Sequence, residues 1–255
     1  MTPSPWILLA LLPASLACST SREPTGAAQA APAPAKAKVR DAGLPDASPA
    51  EVKAHMRAHF AAVSELQRAI ARGHLDQARA LARWLLEHEE KPGEGWQPFL
   101  SELRAAAREV ASAPDLPTAG RLAGRLGRAC SRCHEDRGAV VSFTWTPAPD
   151  DEPTLRAQME RHQWAAARLW EGLVGPSNEM WSQGATVLAG TRLDRPATAR
   201  ADDATLGALV AQVRELATRA GQLSDHDARG KLYGELLSTC ASCHQLARPR
   251  PVPGP

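Results

Sequence analysis

Two cysteines and a histidine stand together twice in this chain, each time in the spacing C-x-x-C-H. The two copies are Cys130, Cys133 and His134, and Cys240, Cys243 and His244. On a helix, residues at positions i, i+3 and i+4 share one face, so each copy presents two thiols and one imidazole on the same side. Such a set is compatible with a metal ion, a disulfide, a dithiol redox pair or a covalently attached porphyrin.

This chain does not provide what a metal site or a dithiol redox pair requires, and a disulfide would leave the histidine without a role. A structural zinc site takes four ligands, and each copy of the motif offers only three. A thioredoxin-type redox pair belongs in a βαβ context, and a simple disulfide does not call for the histidine. Two thiols can instead form thioethers with the two vinyl groups of a haem, while the adjacent imidazole binds the iron. We therefore expect two covalently bound haem c groups, with thioethers to Cys130, Cys133, Cys240 and Cys243 and with His134 and His244 as proximal iron ligands.

The helices that must position these motifs can be predicted from apolar residues spaced three and four apart. Ser48, Pro49 and Glu51 form a helix start with a capping box, and that helix is expected to run to about Arg72, before Gly73. Further helices are predicted at about 75–90 and 99–111. The motif helix is expected to follow an Asp115 cap and to end near residue 136.

The second half of the chain repeats this plan, so the sequence contains an internal duplication. Counted back from the first motif cysteine, Leu126 corresponds to Leu236, and the glycines correspond in the pairs Gly124 with Gly234 and Gly120 with Gly230. Each unit is about 90 residues long with short connections, which is typical of an up-and-down four-helix bundle. The prediction is an all-α chain of two tandem four-helix bundles at 48–138 and 151–247, joined by an extended connection at 139–150.

A four-helix bundle with C-x-x-C-H on its last helix resembles the cytochrome c-prime family, here in tandem. The resemblance covers roughly residues 48 to 138 and 151 to 247. It implies bundles that pair with one another, as the single-haem subunits of that family do. It also implies that the sixth iron ligand, where there is one, comes from the first helix of each bundle. In six-coordinate members of the family that ligand is a methionine.

The first helix of each unit carries a methionine and a histidine at matching positions of an apolar stripe. The stripes are Val52, Met56, His59, Val63, Leu66 and Ile70, and Leu155, Met159, His162, Ala166, Leu169 and Leu173. A histidine is costly to bury without a partner, so its recurrence favours His59 and His162 as the sixth ligands. Met56 and Met159 are the alternative sixth ligands. In each helix the methionine and the histidine lie nearly one turn apart, so only one of them can reach a given iron. The remaining histidines, His55, His74, His88 and His226, are expected to face solvent.

The N-terminal residues 1–17 have the length and apolar character of an export signal. The residues before Cys18 resemble a bacterial lipobox, which predicts lipidation of this fifth cysteine and attachment to a membrane. Ordinary cleavage of the signal after Ala17 is the alternative. Residues 18–47 and the tail at 248–255 are rich in alanine and proline, and they are predicted to be disordered. These features indicate a protein of the bacterial periplasm, tethered to a membrane.

The charge balance, 30 basic against 28 acidic residues, offers no basic surface for nucleic acid. The function expected from the sequence is therefore that of a dihaem electron carrier, which exchanges electrons with partner proteins and is not an enzyme. The alternative is a module that binds or senses nitric oxide or carbon monoxide at an open sixth position of the iron. The two differ in whether the iron is six-coordinate, with two ligands from the protein, or five-coordinate, with one.

Overall fold

The computed structural model describes residues 48–88, 95–193 and 202–247, and the regular structure within these ranges is entirely α-helical. The all-α prediction is confirmed for them. The predictions about the signal segment, Cys18, the linker at 18–47 and the tail at 248–255 lie outside the described residues. The helices are α1 (Pro49–Ala71), α2 (Leu75–Glu87), α3 (Gln97–Ala111), α4 (Leu116–Arg137), α5 (Leu155–Val174), α6 (Asn178–Gly190), α7 (Asp203–Ala220) and α8 (His226–Ala247).

The predicted start and stop signals define the ends of the helices that matter for the site. Ser48 and Glu51 form the reciprocal capping box of α1, and the Asp115 side chain accepts a hydrogen bond from the Thr118 backbone N–H at the start of α4. The last residue of α4 is Arg137. Gly138 follows it in a left-handed conformation with φ of 60°, and this ends the helix shortly after the motif. Residues 139–152 then have no regular structure.

Each half of the chain has the same order of helix contacts. In the first half α1 packs on α2, α2 on α3, α3 on α4, and α4 contacts α1 again. In the second half α5, α6, α7 and α8 repeat these neighbours, and α8 contacts α5. The two halves meet mainly through α4 and α8, and the eight helices belong to one compact unit with a continuous apolar core.

Glycines allow α4 and α8 to approach closely. A Cβ added at Gly124 would collide with the carbonyl oxygen of Gly230 and lie 2.7 Å from the Gly234 nitrogen. In return, a Cβ at Gly234 would lie 2.7 Å from the carbonyl oxygen of Arg121. The matched glycines of the sequence duplication therefore face each other across the crossing of the two motif helices, which run antiparallel there.

One buried hydrogen bond also joins the halves. The indole Nε1 of Trp170 in α5 donates to the Ser64 hydroxyl in α1 at 3.2 Å, and both residues are buried. None of the described helices combines the length and apolarity that crossing a bilayer requires.

Candidate functional site

The two motifs lie in the C-terminal parts of α4 and α8, each the last helix of its half. Their four cysteines are free thiols. Burial raises the pKa of Cys130 and of Cys240 to about 12, and it also raises the pKa of Cys133 and of Cys243. Burial therefore favours the protonated thiol at all four positions, and thiol–disulfide exchange, which proceeds through the thiolate, should be slow.

Both motif histidines are hydrogen-bonded in the same way. His134 Nδ1 lies 2.8 Å from the backbone carbonyl oxygen of Val174, and His244 Nδ1 lies 2.6 Å from that of Ala71. A carbonyl oxygen can only accept a hydrogen bond, so Nδ1 carries the proton in both rings. The lone pair then resides on Nε2, the arrangement that metal-binding histidines use when a backbone carbonyl orients them.

These two acceptors are equivalent positions of the duplicated chain. Ala71 is the last residue of α1 and Val174 is the last residue of α5. Carbonyls at the end of a helix have no partner within it, so each is a ready acceptor for a side chain. Each motif histidine is thus held by the first helix of the opposite half, and the exchange is reciprocal.

The charge state of His134 fits a neutral ligand. Burial lowers the pKa of His134, and the hydrogen bond to the Val174 carbonyl only partly opposes this shift. An imidazole must lose its second proton to coordinate a metal, so the environment favours the form that binds.

His162 lies in the core near His244. It is 6% exposed, and burial, followed by the charge interaction with His244, lowers its pKa to about 4. Within the part of the chain that the structure describes, its buried Nδ1 has no hydrogen-bond partner. The structure therefore brings the predicted sixth ligand of the second unit close to the proximal histidine of the same unit.

His59 has different surroundings from its counterpart His162. Its ring contacts those of His55, His88 and Trp84, with centroid separations of 4.4, 5.3 and 6.0 Å. The alternative ligands Met56 and Met159 are both half-buried on α1 and α5. The two halves thus have the same hydrogen bond at the motif histidine, but the histidines of their first helices, His59 and His162, have different surroundings.

The expectation that the other histidines face solvent is correct for His74 and wrong for three of them. His55 and His88 are half-buried because they pack on each other, with ring centroids 5.1 Å apart. His226 is half-buried because it pairs with Glu135 across the α4–α8 crossing. The spacing of His55 and His59, four residues apart on one helix face, is the signal in the sequence that could have revealed the first cluster.

Within the described residues, His55, His59 and His88 are three potential metal ligands that lie close together. Comparisons with protein families, with curated proteins and with solved structures find no match to this chain.

Proposed function

We propose that this chain is a dihaem c-type cytochrome that carries electrons and transforms no substrate. The observation that supports it best is the pair of hydrogen bonds from His134 and His244 to backbone carbonyls. They select, twice and at equivalent positions, the tautomer that a proximal haem ligand requires. A histidine that merely filled space beside two cysteines would not need this orientation.

The residues present fit the cofactor. Cys130 and Cys133 would hold one haem and Cys240 and Cys243 the other, while the oriented imidazoles supply Nε2 to the iron. When bound, a haem iron accepts and releases one electron at a time. The chain contributes the orientation of the imidazoles, and the first motif cysteine is half-buried in α4 (Cys130) and buried in α8 (Cys240).

For the second unit we propose His162 as the sixth ligand. Its low pKa keeps the ring neutral, it lies near His244, and its buried Nδ1 lacks a partner among the described residues. A ligand role would explain why an imidazole remains in this apolar position. His59 remains the favoured candidate in the first unit, and Met56 and Met159 remain the alternatives.

The proposed fold is a tandem pair of four-helix bundles resembling the cytochrome c-prime family. The repeated order of helix contacts in each half supports this assignment, as does the crossing of α4 and α8 through matched glycines. We also propose export to the periplasm, attachment to a membrane through a lipid on Cys18, and redox proteins as partners. These last proposals rest on the N-terminal sequence and on the haem assignment.

Binding of nitric oxide or carbon monoxide is the second candidate, and one observation favours it for the first unit. His59 packs against His55, His88 and Trp84, and this environment differs from that of His162. An iron in the first unit without a histidine from α1 would have an open sixth position, unless Met56 filled it. The two units would then divide the roles of gas binding and electron transfer.

The test is the visible spectrum and the covalent haem content of the full chain, produced in a host that attaches haem c. We expect two haems per chain and a low-spin spectrum for the second unit. His162→Ala should convert about half of the haem to the high-spin form, because one iron loses its sixth ligand. His74→Ala is the matched control, since His74 is exposed and lies outside both motifs.

The possible results separate the hypotheses. A chain without covalent haem would refute the proposed function as a whole. A low-spin spectrum that His162→Ala leaves unchanged would move the assignment in the second unit to Met159. A high-spin parent spectrum with rapid uptake of carbon monoxide would favour the gas-binding module.

A further inference from the structure

Three imidazoles converge at one end of the α1–α2 pair. They belong to His55 and His59 of α1 and to His88, directly after α2. One ring nitrogen of each can be chosen so that all three nitrogens lie within 4.8 Å of one another. This set of residues is called the histidine triad below.

The sequence builds the triad from two local features. His55 and His59 are four residues apart, so they project from the same face of α1. The turn at Gly73, whose φ of 78° is favourable only for glycine, returns the chain so that α2 runs back along α1. His88 caps the end of α2 through a 2.8 Å hydrogen bond from its N–H to the Trp84 carbonyl, which brings it level with the start of α1.

Trp84 restricts the movement of the triad. Its indole stacks on the His88 ring with centroids 4.2 Å apart and planes at 26°, and it meets the His59 ring edge-on. The His55 and His88 rings are themselves stacked, with planes at 24°. An imidazole lone pair lies in its ring plane, so an ion shared by all three rings would replace the stacking of His55 on His88.

We propose that the histidine triad binds a divalent ion of the late transition metals, with zinc as the probe and a fourth position left to water. Imidazole nitrogen suits Zn²⁺, Cu²⁺ and Ni²⁺, whereas Mg²⁺ and Ca²⁺ require oxygen ligands. Three histidines with an open fourth position form a known type of zinc site. The proposal goes beyond the haem assignment and is independent of it except at His59, which is a candidate in both.

The observed spacing is close to what coordination requires. With zinc–nitrogen bonds of about 2.1 Å in a tetrahedral site, ligand nitrogens are about 3.4 Å apart. The triad nitrogens lie within 4.8 Å of one another, so side-chain rotations that bring them closer by about 1 Å would give this spacing.

A metal in the triad would have a consequence for the first haem. His59 cannot bind zinc and a haem iron through the same nitrogen, so occupancy of the triad and ligation by His59 compete. The asymmetry between His59 and His162 would then be functional, because the second unit has no histidine at the position of His55 in the first helix or of His88 after the second helix. In the second unit the position four residues before His162 is Gln158.

The experiment uses the intact chain with its haems attached and any remaining thiols blocked with iodoacetamide. After treatment with a chelator, equilibrium dialysis against buffered zinc gives the zinc bound per chain, and the haem content is measured on the same sample. We expect one tightly bound zinc, and at least about a 100-fold loss of affinity in both His88→Ala and His55→Ala. His74→Ala, an exposed histidine at the opposite end of α2, should bind zinc as the parent does.

Neither His55 nor His88 is a candidate haem ligand, so their variants test the metal site without touching the haem assignment. Zinc bound normally by a chain that lacks haem would support the triad and refute the proposed function separately. The proposal is overturned if the haem-loaded chain takes up no zinc, or if zinc binding survives in both His88→Ala and His55→Ala. Circular dichroism establishes that each variant is folded.

Discussion

At the scale of single residues, Arg128 links the two halves beside the first motif. Its guanidinium bonds to Asp227 of α8 at 2.5 Å and to Glu135 of α4 at 2.9 Å, and Glu135 also pairs with His226. Arg128 lowers the pKa of Asp227, which means that the ionised carboxylate is the form the fold prefers. Arg128, Glu135, Asp227 and His226 thus form a network of ion pairs between the motif helices, and the Arg128–Asp227 pair is called the electrostatic clasp.

A double-mutant cycle with Arg128→Ala and Asp227→Ala measures the clasp. We expect a coupling free energy of about 0.5 kcal/mol near neutral pH, because Asp227 is mostly exposed and solvent screens the pair. The carboxylate has a lowered pKa in the folded state, so its contribution is present above its ordinary value of 3.8 and declines as pH falls through the lowered value. Urea unfolding near neutral pH and at about pH 2 provides the comparison. A coupling that persists in acid would exclude the carboxylate as its source.

Residue types and local spacing point to the motif residues of the candidate site. Cys130, Cys133 and His134 were identifiable because their spacing on a helix is itself the chemical signal. The acceptors for the motif histidines cannot be identified from the sequence, because Ala71 and Val174 contribute only backbone carbonyls and every residue carries one. The histidine triad was missed for a similar reason: His88 reaches His55 only through the packing of α2 on α1.

At the scale of helices, the capping residues in the sequence predict where α1 begins and where α4 begins and ends. Ser48 with Glu51 and Asp115 with Gly138 mark the ends of α1 and α4 correctly, because capping bonds form within a few residues. The sequence reveals the matched glycines as part of the duplication, but it does not show that they allow two helices to pack closely. The crossing of α4 and α8 brings together residues about 110 positions apart, and no local pattern predicts such a contact.

Gly124→Ala tests the helix crossing. The added methyl group would collide with backbone atoms of α8, which cannot move aside as a flexible side chain could. We expect the free energy of unfolding to fall by about 1–3 kcal/mol, despite the better helix propensity of alanine. Gly207→Ala is the control, because its Cβ would meet open space in α7, and there we expect a gain of about 0.5–1 kcal/mol. Thermal unfolding followed by circular dichroism distinguishes these opposite changes, and equal effects at both positions would show that the crossing is not tightly packed.

At the scale of the whole molecule, the two halves complete each other. Each motif histidine depends on a carbonyl of the opposite half, and α4 and α8 each cover the glycine face of the other. A half on its own would expose that face and would lack the acceptor for its motif histidine. The duplication nevertheless supplies a substitute, because the end of α1 is the counterpart of the end of α5.

A chain reduced to residues 48–150 should therefore form a homodimer. The α4 helices of two copies would cross at Gly120 and Gly124, and His134 of each copy would bond to the Ala71 carbonyl of the other, as His244 does in the intact chain. Analytical ultracentrifugation over a range of concentrations should show dimers, and Gly124→Ala should shift the population to monomers because it blocks the close approach of two backbones. A half that stays folded and monomeric at high concentration would mean that the exposed α4 face needs no partner, and the halves would then be independent units joined only by residues 139–150.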